Sequence, residues 1–428
     1  MKTRFIKGVT VALAAVLLLA GCSSRSGDTK INADQSKKSS SAASRITVDS
    51  SVNDPVVQRV YKDIVEAFKQ ENPDIDVDLQ FPGSEHDNIL KVKMAANEMP
   101  DVFDTHGWAQ VRYGNYLADL RDEAWVPELT DTIKDVVTDK DGKVYALVLS
   151  EAKDGFTYNA DLLEKLDIPV PKTFDELMAA ADKIVKATNG ETVPFHFSGI
   201  DDWTIGQYFD LMATPLLISP ENNEKEALLN GTFDWKKWTP LPEKFQEMHQ
   251  KGYLNKDVIT AKYSDASRQF AEGKVAFVMV NPSFAEEVRK INKDMKIGYM
   301  PVPSLVAGDE PSFSGGERFT MGIWKDSEKM EQAKKFLAFF AKPENMSKIA
   351  NVTMLPPGLK GVEAQHEFSP YYEQYKDVRV FPYFDRVFLP SGMWDVVCKQ
   401  GTELLAGRIT PEKYSEVMKQ EAERLRNR

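Results

Sequence analysis

The sequence predicts an α/β protein of two lobes joined by a hinge. Three observations predict it. Of the 428 residues, roughly 385 follow an N-terminal leader and linker, more than one hydrophobic core usually serves. Residues 46–103 read as strand–helix–strand–helix–strand, which argues for a largely parallel sheet with helices packed on it. Near 147–155 and again near 300–304 an apolar strand runs into a polar or proline-stiffened extended segment, as a chain does when it passes from one lobe to the next.

The leader carries Lys2, Arg4 and Lys7 ahead of an apolar run from Val9 to Ala20, short for a membrane span. Leu19-Ala20-Gly21-Cys22 follows and resembles a bacterial lipobox. Residues 1–21 are thus expected to be a lipoprotein signal peptide. Cys22 is expected to be the lipidation site, holding the protein at the extracytoplasmic face of the cell membrane, where it must work without ATP. An ordinary signal peptide or an uncleaved anchor is the competing reading. Residues 22–44 contain almost no large apolar side chain, so burial cannot offset their ordering entropy. They read as a disordered tether with a reach of roughly 25 Å.

Losing residues 1–21 would take three of the 54 basic side chains and leave 51 against 65 acidic ones, a net charge of −14. So acidic a chain disfavours nucleic acid, whose binding draws on Lys and Arg. With Cys22 lipidated, Cys398 stands alone and no intramolecular disulfide is expected. His86, His106, His196, His249 and His366 are scattered singly, and no P-loop, G-x-S-x-G, H-E-x-x-H or C-x-x-C motif occurs. No metal, cofactor or catalytic residue is therefore assigned.

In chain order, Ile46–Val48 is a short strand. Asn53 or Asp54 caps a helix with Pro55 at its first position and Val56, Val60, Ile64 and Phe68 at helical spacing. Asn72-Pro73 ends it, and Ile75–Phe81 alternates strictly as a strand. A helix around Ile89–Ala96 leads to the strand Val102-Phe103, followed by Asp104-Thr105-His106-Gly107-Trp108. Ligands collect beyond the carboxyl ends of strands in open α/β sheets, which makes His106 and Trp108 candidate ligand contacts. A capping Asp, a surface His and a core Trp are the alternative. Val144–Leu149 runs into Ser150–Gly155, where Lys153 and Asp154 sit in the crossing, and then into Phe156–Asn159. Thr173 caps a helix with Phe174, Leu177, Ala181 and Ile184 on one face. Val193–Phe197 reads as a strand, and Asp201-Asp202-Trp203 begins a helix. A helix joins a buried strand over 270–280, Gly315–Phe319 precedes another strand, and the remainder is helical to Arg428.

The order of these landmarks resembles the carbohydrate-binding lipoproteins of bacterial ABC importers, the extracellular solute-binding family that includes maltose-binding protein. The pieces that carry it are AFKQENPDIDV, MPDVFDTHGW, DGKVYALVLS, FTYNADLLEKL, PKTFDEL, FAEGKVAFVMVN and KKFLAFFAKPENM, from about Arg45 onward. DTHGW, EAKDG, GGERF and YFDRVFLPSGMWDV further resemble multiple-sugar-binding lipoproteins for α-galactosides such as melibiose and raffinose. The resemblance implies a type II periplasmic-binding-protein-like fold with two or three hinge crossings, the third near Ile323–Ser327. The first lobe is expected over 45–150 plus about 282–325, the second over 151–281 plus about 326–428. It also implies a monomer that encloses an oligosaccharide by lobe closure and delivers it to ABC permease subunits.

Sugar recognition needs flat aromatic rings for the C–H faces of a pyranose and polar groups for its hydroxyls. The candidate aromatics are Trp108, Trp203 and Trp394, the last standing where the family places a stacking tryptophan; Phe284 stands where many relatives have tryptophan. The candidate polar groups are His106, Lys153, Asp154, Glu317, Arg318 and Asp395, with Glu317-Arg318 following two glycines that let backbone approach a ligand. Asp385-Arg386, charged within an aromatic run, reads equally as a buried ion pair or a ligand contact. A secreted glycoside hydrolase, which needs two carboxylates roughly 5–9.5 Å apart, and a sugar-sensing subunit or adhesin remain the alternatives.

Overall fold

The structure is a computed structural model describing residues 43–427. The expected signal peptide, Cys22 and the tether up to residue 42 lie outside these residues. The first strand, β1 (Ser44–Asp49), begins inside the expected tether. In α1 (Pro55–Glu71) the Asp54 carboxylate accepts hydrogen bonds from the Val56 and Val57 amides at 2.6 and 3.2 Å, and Pro55 presets the first turn. Its buried face is Val57, Tyr61, Ile64, Val65 and Phe68, whereas Val56 is 41% exposed. Four-residue steps drift about 40° around a 3.6-residue helix, so a set running from Val56 to Phe68 cannot share one narrow face.

The chain continues through β2 (Ile75–Gln80), α2 (His86–Ala96), β3 (Val102–Phe103), α3 (Asp131–Val137) and β4 (Leu147–Asp154). It then enters the second lobe through β5 (Phe156–Asn159), α4 (Ala160–Lys165) and α5 (Phe174–Ala187). Thr173 and Glu176 form a reciprocal capping box at the start of α5. Next come β6 (Val193–Phe195), α6 (Trp203–Leu217), the short pair β7 (Ile218–Ser219) and β8 (Asn222–Asn223), and α7 (Lys225–Asn230). The outward run closes with α8 (Pro240–Gln250), α9 (Tyr263–Ala271), β9 (Val275–Val278), α10 (Phe284–Arg289) and β10 (Ile297–Met300). The long strand β11 (Phe313–Ile323) returns to the first lobe, followed there by α11 (Met330–Phe340) and α12 (Pro343–Thr353). The last elements are α13 (Ser369–Gln374), β12 (Val380–Pro382), α14 (Phe384–Phe388), α15 (Met393–Leu405) and α16 (Pro411–Arg426).

Two sheets organise the lobes. In the first, β1 lies between β2 and β3 and runs parallel to both, while β11 is antiparallel to β3 and β4. The sheet is therefore mixed, not largely parallel, because β11 returns from the other lobe. In the second, β5 is antiparallel to β9 and β10, and β6 is parallel to β9. Each lobe has its own core, one around Ile46, Phe68 and Phe336, the other around Phe197, Phe209 and Trp238.

The hinge is the antiparallel ribbon of β4 and β11, with Leu147 opposite Met321 at one end and Asp154 opposite Ser314 at the other. The first crossing runs along β4 to Gly155 and the second returns along β11. At the return crossing expected near 300–304, Val302 sits in the second-lobe core and Ser304 pairs with Thr173, so this segment stays with the second lobe. A Cβ at Gly155 would lie 2.2 Å from the Met300 carbonyl oxygen, so glycine lets the first crossing press against the end of β10. The third crossing is not near Ile323–Ser327. Trp324 pairs with Leu117, and the Ser327 hydroxyl donates to Asp101 at 2.6 Å, both within the first lobe. The chain leaves that lobe only between Leu359, which belongs to its core, and Phe368, which packs with the second sheet.

The expected lobe boundaries change accordingly. β10 pairs with β5 and Phe284, Val288 and Ile297 pack among second-lobe residues, so 282–312 goes with the second lobe. Helices α11 and α12 bury Phe336, Phe340, Met346 and Ile349 against α1, so 326–359 belongs to the first. Gly315 and Gly316 lie within β11, not ahead of it. At Gly315 a Cβ would meet the Ala152 carbonyl oxygen at 1.9 Å, so the close pairing with β4 requires glycine there.

Candidate functional site

A cavity of about 660 Å³ opens between the lobes, within the range of roughly 300–1,000 Å³ typical of small-ligand sites. The first lobe contributes Ser51, Asn53 and Asp54 from the turn into α1, His106 from the loop after β3, and Thr353 from the end of α12. Asp154 and Arg318 reach it from the hinge ribbon. The second lobe contributes Trp203, Gln207, Asp210, Tyr263, Asp385, Arg386 and Trp394.

Its aromatic wall is made by the second lobe. Trp203, at the first turn of α6, meets Tyr263 edge-on with ring centroids 4.7 Å apart. Trp394, at the start of α15, lies over α6 where position 206 is glycine; a Cβ there would be 3.1 Å from the indole and 2.4 Å from the Cys398 sulfur. Both tryptophans are partly exposed. Phe284 lines the cavity, but it is buried with Phe270 and Tyr263 around it.

Trp108 is placed differently. It is 9% exposed, and the guanidinium groups of Arg112 and Arg386 lie over its ring at 4.0 and 4.7 Å. It packs with Leu90, Phe103 and Tyr113, so its ring faces are occupied by protein groups and it offers no free platform.

The polar groups divide into anchors and open contacts. Asp104 is an anchor: its buried carboxylate accepts from the Ser51 hydroxyl, from Thr320 Oγ1 at 2.7 Å and from the His106 amide at 2.8 Å. This holds His106 in a left-handed conformation (φ 48°), with its Nδ1 3.3 Å from Asp87. Burial works against ionisation of Asp87, but the hydrogen bond and charge of His106, with Arg112, hold its pKa at about 2. Asp154 accepts a 2.6 Å hydrogen bond from Tyr383 through Oδ2, while its buried Oδ1 has no protein partner among the described residues. Such an acceptor invites a ligand hydroxyl.

Asp210 and Asp385 form the floor. Asp210 Oδ1 accepts from the Asp385 amide at 2.7 Å. Burial pushes Asp210 well above the usual carboxylate range and raises Asp385 as well. A buried acid that keeps its proton donates to a hydroxyl, while its neighbour accepts.

Of the nine expected contacts, the cavity brings together His106, Trp108, Asp154, Trp203, Arg318 and Trp394. Lys153, Glu317 and Asp395 do not line it. Lys153 contributes its backbone carbonyl to the Tyr299 hydroxyl, and Asp395 is exposed on α15. Glu317 lines the cavity on the other side of the ribbon, while Arg318 and Phe319 both line this one, because the pairing of β11 with β4 is irregular between Glu317 and Thr320 and strict alternation fails there. Asp210, Gln207 and Tyr263 were missed. Asp210 carried a readable signal, as the one acidic or basic residue in the apolar helix Trp203–Leu217.

Comparison with known proteins follows the same line. The family described as bacterial extracellular solute-binding protein matches residues 54–347. The melibiose/raffinose/stachyose-binding protein of Bacillus subtilis is 41% identical over 427 residues, covering 100% of this chain and 97% of that protein. A sugar transporter protein from Bacillus licheniformis, solved in complex with stachyose, superposes with a TM-score of 0.82 at 46% identity, covering 89% of this chain and 100% of that one. A binding protein of Bacillus subtilis in an open conformation gives a TM-score of 0.85 at 42% identity over 91% of this chain and 99% of its own.

Proposed function

The chain belongs to the bacterial extracellular solute-binding proteins, and from that premise we propose that it captures α-galactosides of the melibiose, raffinose and stachyose type between its lobes and delivers them to an ABC permease. It is an extracytoplasmic sugar-binding protein of an ABC importer, and its relatives bind substrates without transforming them. The observation that carries the reading is the interlobe cavity, with Trp203 and Trp394 on one wall and Asp154, Asp210, Asp385 and Arg386 presenting polar atoms to it. Pyranose C–H faces pack on the indoles, and ring hydroxyls pair with groups that would otherwise cost roughly 1–3 kcal/mol each when buried unpaired. Lipidation of Cys22 holds the protein at the membrane, and it works as a monomer.

Contacts from both lobes form together only when the lobes approach, so the sugar favours the closed form by its differential affinity. The permease can then distinguish loaded from empty protein by shape. Calorimetric titration with melibiose, raffinose and stachyose, against maltose and lactose as controls, tests the specificity. Saturable binding of the first three and none of the controls is expected; binding of maltose alone contradicts it.

A further inference from the structure

On the other face of the hinge ribbon lies a second cavity of about 670 Å³. Trp108, Tyr383 and Arg386 line both cavities and so form the partition between them. The rest of its wall comes from both lobes, with Thr132, Asp135 and Val136 on α3 facing Lys225, Phe381 and Val387. At its floor Glu317, 2% exposed, accepts from the Ala109 amide at 3.1 Å through Oε1. Its buried Oε2 has no hydrogen-bond partner among the described residues. Burial pushes this carboxyl up to about 7, so near neutrality it either donates or accepts, as a hydroxylated ligand requires.

The partition is thin. The Arg386 guanidinium rests over Tyr383 at 4.0 Å and Trp108 at 4.7 Å, and Nη1 donates to the Glu317 carbonyl at 3.2 Å. Its Nε has no hydrogen-bond partner among the described residues. Position 107 must be glycine for it to rest there, since a Cβ would lie 1.9 Å from Nη1. One hydrogen bond, two ring faces and the charges of Asp385, Asp210 and Glu317 hold this buried group, and an entering ligand must replace the hydrogen bond and ring contacts with its own hydroxyls and apolar faces.

We propose that the rear cavity is a second compartment of the binding cleft, opened when the Arg386 guanidinium swings aside, and that it takes the far hexose rings of the longer oligosaccharides. The proposal rests on the α-galactoside reading above. Its test uses the full chain and two substitutions that fill only the rear space, Val136→Phe and Val111→Trp. Val111 lines the rear cavity and is 51% exposed, so a tryptophan there does not burden the core. Calorimetry compares melibiose, with two rings, and stachyose, with four. Both variants are expected to bind melibiose within about twofold of the wild type and stachyose at least about tenfold more weakly. Unchanged stachyose affinity in the Val111→Trp protein overturns the second compartment, as does an equal loss for both sugars. A wild-type protein that binds neither sugar instead removes the galactoside reading, and the compartment with it.

Discussion

Trp394 can be read by one substitution because its ring lines the cavity and lies over α6 at Gly206. Trp394→Ala is expected to weaken galactoside binding by about 1–3 kcal/mol, the loss of one aromatic face. Stability should fall less than for Trp238→Ala, which empties a fully buried site and costs about 3–5 kcal/mol. Urea unfolding beside calorimetry separates the two, and a collapse in stability with normal sugar affinity would make Trp394 a core residue. Glu317 gives a pH signature. Burial raises its folded pKa from 4.5 to about 7, so the folded protein holds a proton that the unfolded chain has lost. That contribution is full below about pH 4.5 and lost as the pH rises through 7, a span of about 3 kcal/mol. Glu317→Gln keeps the acceptor for the Ala109 amide, so its unfolding free energy should lack this decline between pH 5 and 8; parallel profiles would contradict it. At this scale the sequence was only partly legible. Trp203 and Trp394 followed from family position, but whether Glu317 or Arg318 faced the cleft depended on strand register, which Gly315-Gly316 did not reveal.

Between elements, the approach of α15 to α6 at Gly206 sets where Trp394 stands. Gly206→Ala places a methyl 2.4 Å from the Cys398 sulfur and 3.1 Å from the indole, so one of them must move. Overpacking of this kind costs about 1–3 kcal/mol, and the shifted indole should lower sugar affinity in the same protein. Retained affinity together with retained stability would show that the interface accommodates the methyl. Many helices and strands were legible from caps and periodicity, among them α1 behind Asn53 or Asp54 and α5 behind Thr173. Lobe membership was not. The apolar stripe Ala333, Phe336, Leu337 and Phe340 makes α11 amphipathic wherever it docks, and only the return of β11 beside β3 brings it to the first core.

For the whole molecule, two claims extend beyond any one site. Cys22→Ser should prevent lipidation and release the protein from the membrane fraction, whereas persistent retention would mark residues 9–20 as an uncleaved anchor. The central claim is capture by closure around the β4–β11 ribbon, with ligand contacts drawn from both lobes. The crossing along β4 was readable as a change from apolar strand to polar chain; the proline-stiffened segment near 300–304 stays in the second lobe, and the crossing beyond Leu359 has no such mark. Small-angle X-ray scattering of the full chain, titrated with raffinose to saturation, tests closure most directly. The radius of gyration should fall on binding, and Trp394→Ala should shift the same fall to higher sugar concentration. Saturable raffinose binding with an unchanged scattering curve would contradict the account and leave a rigid binding module.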